Sequence, residues 1–259
     1  MIINKKSAKQ VALVTGGARG IGKAYCEGFV SEGVSVVVAD INYKRAQETA
    51  SELEKIGGQA LAVEVDVASE KSVKKMFENI LSYFERVDFL VNNAAIMLDV
   101  EKPFKPFWEL EEIEWNRVMS VNSAGVYLCC KYVKPIMEKI GGGKIVNITS
   151  DAIWKGYEGQ LAYFASKGAV AVMTRCLARE LGKFNINVNA IAPGLTISEA
   201  VESSEFMMET IKPIVTEACA IQKEQTPEDL VGTMLFLCSS KSDRITGQTI
   251  VVNRGVVMP

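Results

Sequence analysis

Seven short runs of β-branched and apolar residues punctuate the chain: QVALVTG (10–16), VSVVVAD (34–40), ALAVEVDV (60–67), VDFLVNNAA (87–95), GKIVNITS (143–150), INVNAIAPG (186–194) and QTIVVN (248–253). Several are apolar at nearly every position, as strands covered on both faces must be. Between them, apolar residues recur at helical spacing, which predicts helices at about 20–32, 43–57, 69–85, 111–140, 161–183 and 227–240. Strand–helix alternation of this kind predicts a parallel sheet joined by right-handed crossovers. No repeat, low-complexity tract or linker interrupts it. Residues 1–259 therefore read as one α/β domain, a doubly wound sheet flanked by helices. Residues 195–226 break the pattern, being rich in Glu and Met and lacking a strand. A connection that long in a compact domain reads as a substrate flap.

Composition narrows the picture by exclusion. The chain is 48% hydrophobic and 23% charged, ordinary for a globular protein. Net charge is −2 with the signs interspersed, which argues against a nucleic-acid partner. The first ten residues lack the apolar core of a secretory signal, and no apolar run approaches a bilayer span. A cytoplasmic location without a membrane partner is expected. Six cysteines occur without a C-x-x-C pair and are expected to be buried thiols. There is no histidine. Ser-His-Asp chemistry, Cys-His chemistry and His-based zinc sites are thereby excluded, and no metal is expected. Proton transfer falls to Tyr, Lys, Asp, Glu, Cys or water.

The first strand runs into TGGARGIG, with Gly16, Gly20 and Gly22 where a strand turns into a helix. Such a turn lets backbone approach a pyrophosphate, and the helix N-terminus offers free N–H groups. The spacing is G-x-x-x-G-x-G rather than G-x-G-x-x-G. Asp40 ends the second strand, eighteen residues past Gly22. In a dinucleotide site it accepts hydrogen bonds from the adenosine ribose and repels a 2′-phosphate, favouring NAD. Arg19 reads either as a cofactor contact, which would attract that phosphate, or as a surface charge. Asp66 either caps the next helix or holds the adenine edge. Asn93, Ala94 and Ala95 end the fourth strand, where a doubly wound sheet opens its ligand crevice. Ile21, Ile41 and Val67 flank these positions and complete the expected cofactor contacts.

Tyr163 and Lys167 stand four apart in AYFASKGA, on one face of a predicted helix. A free phenol has a pKa near 10, too high for efficient proton exchange at neutral pH, and a nearby cation lowers it. The order of T-G-x-x-x-G-x-G (15–22), NNAA (92–95), Asn122, Ser150, Y-x-x-x-K (163–167), Pro193-Gly194 and ITGQTIVVN resembles the short-chain dehydrogenase/reductase family across nearly the whole chain. The resemblance implies a Rossmann-like fold around a seven-stranded parallel sheet, and a homotetramer or homodimer. It implies Tyr163 as acid–base catalyst and Ser150 on the substrate oxygen. Lys167 would hold the nicotinamide ribose, and Asn122 a water linking that lysine to solvent. Pro193, Gly194, Thr196 and Ser198 would meet the nicotinamide end, with Ser198 read equally well as the start of the next helix.

Two departures stand out: Ala95 replaces a usual glycine, and Arg254 in VVNRGV stands where relatives have glycine. Asn253 tolerates a left-handed turn, whereas Arg254 is harder to place. Ile96, Met97, Ile153, Trp154, Tyr157, Leu195, Phe206, Met207 and Met208 are expected near the substrate, a lining suited to a hydrophobic or aromatic ketone or secondary alcohol. The principal expectation is hydride transfer between NAD(H) and such a small molecule. The alternatives are a 3-oxoacyl thioester (acyl carrier protein) reductase and a nucleotide-sensing binding protein.

Overall fold

The computed structural model describes residues 9–96, 104 and 106–259, and each apolar run above contains a strand. Strand β1 (Val11–Thr15) leads into helix α1 (Gly20–Ser31), followed by β2 (Ser35–Asp40), α2 (Tyr43–Lys55), β3 (Ala60–Glu64), α3 (Glu70–Phe84) and β4 (Phe89–Asn92). The second half runs α4 (Glu112–Met119), α5 (Gly125–Lys139), β5 (Gly143–Ile148), α6 (Leu161–Leu181), β6 (Ile186–Pro193), α7 (Glu199–Glu202), α8 (Lys212–Ala218), α9 (Val231–Cys238) and β7 (Thr249–Val252). Met97 lies outside the described residues.

All seven strands are parallel, in the order β3-β2-β1-β4-β5-β6-β7. The order reverses between β1 and β4, so helices cover both faces and a crevice opens beyond the C-terminal ends of these two strands. Alternate residues of each strand feed opposite cores. Leu13, Val37, Leu90, Ile145 and Val188 pack with α3, α5 and α6. Val14, Val38, Val91, Val146 and Ile191 pack with α1, α2 and α9. Because both sets are buried, the strands read as unbroken apolar runs rather than alternating ones.

Three features refine the sequence reading. The single helix expected over 111–140 is two helices joined by a π turn, Ser120–Ala124, with Asn122 fully buried at its centre. Residues 195–226 hold α7, α8 and a second π turn, Met207–Ile211, rather than a strand. Their two ends are fastened together. The Gln225 carbonyl accepts from Ile197 N (2.7 Å), while its Nε2 donates to Thr196 Oγ1 and Val252 O (both 3.0 Å). Met207 is buried beneath this segment. Third, Arg254 and not Asn253 takes the left-handed conformation (φ 60°). That conformation costs a non-glycine residue about 1–2 kcal/mol. The Arg254 guanidinium bonds Lys223 O, and its carbonyl accepts from Ile221 N (3.0 Å), so local bonding works against the strain, although its Nε is buried without a partner. Five of the six cysteines are buried as expected, but Cys176 is exposed on α6. Among the described residues, no helix is long and apolar enough to cross a membrane.

Candidate active site

The glycine turn is built around Thr15, the last residue of β1. Its Oγ1 accepts from the backbone N–H groups of Asn93 and Ala94 (both 3.1 Å), and Asn93 Nδ2 donates to Thr15 O and Gly16 O (both 3.1 Å). The asparagine thus satisfies turn backbone and also faces the crevice. Asp40 straps β2 to the same turn: its Oδ2 accepts from Ala18 N (3.1 Å) and its Oδ1 from Asn42 N (2.9 Å). Gly16 and Gly20 have positive φ (64° and 52°), which few other residues adopt. Helix α1 has no acidic residue in its first turn and no side-chain cap from Arg19 among the described residues. Its leading N–H groups suit an anion such as a pyrophosphate.

Gly22 is required by space. A Cβ there would lie 2.0 Å from Gly16 O and 2.7 Å from Asn93 Nδ2. Gly22→Ala is expected to force the turn open, weaken dinucleotide binding by about 10-fold or more and lower the melting temperature. Calorimetric titration and thermal melting check this. Gly168→Ala, with open space around its Cβ, is the control.

A cavity of about 540 Å³ lies over the turn, within the usual range for small-molecule sites. Gly16, Arg19, Gly20, Ile21, Gly22, Asp40, Ile41, Asp66, Val67, Asn93, Ala94, Ala95 and Ser198, all among the expected cofactor contacts, line it. Arg19 therefore faces the cavity. Asp66 lines it too and is not the cap of α3, because Ser69 accepts from Ser72 N there (3.3 Å). Ser198 both precedes α7 and sits against the turn, 3.3 Å from where a Gly20 Cβ would stand. The expected contacts Tyr163, Lys167, Pro193, Gly194 and Thr196 do not line this cavity. Tyr163 and Lys167 stand on α6, with Lys167 Nζ turned into a bond with the β5 backbone, and Pro193, Gly194 and Thr196 lie at and just past the end of β6, where Thr196 is buried. Sequence reading missed the lining residues Arg117, Val121, Glu199, Ala200 and Ser203, which carry no motif. Glu199 pairs with Arg45 of α2, so the first helix of the 195–226 segment is tied to the far side of the crevice. Both partners are half-exposed, and the pair adds little stability.

The four side chains expected to take part in proton transfer assemble where β5 ends. Ser150 is extended and caps a 3₁₀ turn, Asp151–Trp154, with its Oγ accepting from Ala152 N (3.2 Å). The same hydroxyl stands close enough to the Tyr163 phenol to favour its ionised form. Lys167, one turn along α6, is buried, places Nζ 5.9 Å from the Tyr163 ring centre and donates to Ile148 O (2.7 Å). Asn122 closes the group from the π turn. Its Oδ1 accepts from Ile96 N (2.7 Å), and its Nδ2 donates to Ile96 O (3.0 Å) and Ser166 Oγ (3.1 Å). All four expected side chains therefore share one neighbourhood.

Their electrostatics correct one expectation. Tyr163 is not lowered in the protein alone but pushed up to about 12, mainly by burial, with Ser150 opposing and the Asp151 charge adding. Burial likewise brings Lys167 down to about 8. Loss of water outweighs the proximity of the two groups.

Of the expected substrate residues, Trp154, Tyr157 and Phe206 are exposed, while Ile153 and Leu195 are partly buried. Phe104 was not anticipated. Its ring meets that of Phe206 at 5.3 Å, and its Cβ lies 2.9 Å from where a Gly159 Cβ would stand. Three segments thus meet: the connection after β4, the 195–226 segment and the loop before Tyr163.

Residues 16–257 match a family model described as enoyl-(acyl carrier protein) reductase. The chain is 36% identical to the 3-oxoacyl-[acyl-carrier-protein] reductase FabG of Aquifex aeolicus, over 95% of this chain and 97% of that protein. It is 34% identical to the 7alpha-hydroxysteroid dehydrogenase of Escherichia coli, over 95% and 93%. A crystal structure of a putative gluconate dehydrogenase from Agrobacterium tumefaciens superposes with a TM-score of 0.88 at 31% identity, over 96% of this chain and 97% of that one. With its motifs in this order, around this sheet and among these relatives, the chain belongs to the short-chain dehydrogenase/reductase family of oxidoreductases, whose members use nicotinamide cofactors.

Proposed function

We propose that this chain moves a hydride between NAD(H) and a hydrophobic or aromatic secondary alcohol or ketone, with Tyr163 as the acid–base group. The observation that carries the reading is the Tyr163 phenol, beside Ser150 and one helical turn from Lys167, whose Nζ lies 5.9 Å from its ring centre. A nicotinamide bound beside it supplies or accepts the hydride. Tyr163 gives its proton to the carbonyl oxygen in reduction and takes it from the hydroxyl in oxidation. Ser150 bonds the same oxygen and polarises it. Lys167 would hold the nicotinamide ribose, and Asn122 would keep a water that connects it to solvent. Pro193, Gly194 and Thr196 would meet the nicotinamide amide. The whole chain acts as one catalytic domain, with 195–226 as its substrate flap.

Asp40 supports NAD over NADP, because a carboxylate facing the cavity repels a 2′-phosphate. The exposed aromatic residues Trp154, Tyr157 and Phe206 support an apolar substrate. A second reading, reduction of 3-oxoacyl thioesters, is favoured by the 36% identity to FabG. A nucleotide-sensing role without turnover is disfavoured by the complete Asn122–Ser150–Tyr163–Lys167 set. The protein is further proposed to work in the cytoplasm without a nucleic-acid or membrane partner. It is proposed to assemble as a homotetramer or homodimer, covering the exposed Phe107, Trp108 and Ile113.

The test is a panel of apolar ketones and 3-oxoacyl thioesters against NADH and NADPH. Turnover of ketones with NADH is expected. A clear NADPH preference would overturn the reading of Asp40. Activity confined to thioesters would favour the second reading, and tight NAD binding without any turnover the third.

A further inference from the structure

Asp151 and Lys155 form an ion pair at 2.7 Å, one turn apart, with side chains only 5% and 8% exposed. Burying two charges costs several kcal/mol of lost hydration, so such a pair is a poor source of stability. Its position suggests another role. Asp151 directly follows Ser150, and Asn253 at the end of β7 donates its Nδ2 to the same Asp151 Oδ2 (3.2 Å). Asn253 is itself fixed by Gly255 N, which donates to its Oδ1 (3.0 Å), and by a bond from its Nδ2 to Val257 O (3.0 Å). Gly194 fills the remaining space: a Cβ there would stand 2.8 Å from Asn253 Cβ and 3.3 Å from Asp151 Oδ2. A continuous chain of contacts thus runs from the end of β7 through Asp151 to the Ser150 turn, and so to Tyr163.

We propose that Asp151, Lys155 and Asn253 are positioning residues, which lock the Ser150 turn against β7 while Lys155 shields Tyr163 from the Asp151 charge. The proposal rests on the reading of Tyr163 as the acid–base group. The Asp151 carboxylate disfavours the phenolate and helps hold the phenol's pKa up. The Lys155 ammonium, bonded to that carboxylate, supplies the opposing charge. Among the described residues, the charged groups found around Tyr163 are Lys167 on its own helix and Asp151 on the turn after β5. Ser150 stands beside the phenol and favours its ionised form, and Asn122 reaches its helix from the π turn through Ser166. Asp151 in turn meets Lys155 and Asn253.

The sign is specific. Without the Lys155 charge, Tyr163 keeps its proton to higher pH. Alcohol oxidation needs the phenolate and should suffer at neutral pH, whereas ketone reduction needs the phenol and should not. Lys155→Gln is expected to slow oxidation about 10-fold at neutral pH and to move its pH profile about one unit alkaline. Reduction should change by less than about threefold. Asp151→Asn, which keeps an acceptor for Asn253, should move the profile the other way. The Asp151→Asn/Lys155→Gln double variant should return close to the parent profile. Equal slowing in both directions with an unmoved profile would overturn the proposal. If Lys155→Gln does not fold, Asp151→Asn decides alone, and an unmoved profile again overturns it. The phenol can also be titrated by NMR on ring-labelled tyrosine, with the Tyr163 signal identified by its loss in Tyr163→Phe. That titration should shift with Lys155→Gln even if Tyr163→Phe proved active, which separates failure of this proposal from failure of the catalytic assignment.

Discussion

Tyr163→Phe, which deletes one oxygen atom, is expected to lower turnover by about 10³-fold, within the 10²–10⁴ that a positioned acid–base group supplies. NADH affinity should change by less than about threefold, because the expected cofactor contacts of the ring and its helix remain. The physical reason lies in where the phenol sits. Burial pushes its pKa up to about 12, so in the protein alone it is a protonated acid beside Ser150. That state is ready to protonate a carbonyl oxygen. In the reverse direction the phenolate must form, so oxidation should rise with pH over the range where reduction is flat or falling. Steady-state rates in both directions, with NADH fluorescence titration for binding, measure the effect. A variant that binds NADH normally and still reduces its best ketone at a tenth of the parental rate would remove Tyr163 from the mechanism.

The parts of this site that were legible in the sequence are those written in local spacing. Gly16, Gly20 and Gly22 announce the turn because a strand pattern precedes them and a helix pattern follows. Tyr163 and Lys167 announce a shared face because four residues make about one helical turn. Ser150 sits at a strand end, which in a parallel sheet of this order points to the crevice. What stayed hidden depends on contacts between distant segments. Phe104 meets Phe206 across 102 positions of chain, and Asp151 meets Asn253 across another 102. Arg45 reaches Glu199 only because the chain folds back over the crevice. No periodicity records such pairs. Arg254 shows the same limit differently: its identity warned of strain, but the bonds to Lys223 and Ile221 that work against it belong to the folded chain. The pKa of Tyr163 was misjudged for a related reason. Spacing reveals a neighbouring cation, whereas burial, the larger influence here, is a property of the packed site.

Lys167→Met should expose the stability given up for function. The amine's pKa is brought from its ordinary 10.5 down to about 8 by burial. Below about pH 8 the folded protein carries a buried ammonium, and a shift of this size corresponds to a penalty of about 3 kcal/mol. Between pH 8 and 10.5 the unfolded chain binds more protons at this residue than the folded one, so stability rises with pH and the penalty fades. Methionine removes the penalty but leaves Ile148 O without its 2.7 Å partner, a loss of about 1–3 kcal/mol. The variant is therefore expected to be more stable than its parent by about 1 kcal/mol at pH 7, or about 2–4 °C in melting temperature. Near pH 10.5 the order should reverse, because the parent no longer buries a charge and the variant still lacks the bond. Turnover should fall by about 10²-fold or more at pH 7, where the parent's amine is charged and the variant leaves Tyr163 without a neighbouring cation. Thermal melts of both proteins from pH 7 to 10.5 decide the matter. A melting difference that stays constant across that range would show that Lys167 is not buried as a charge, and with it would go the electrostatic account of the Tyr163–Lys167 pair.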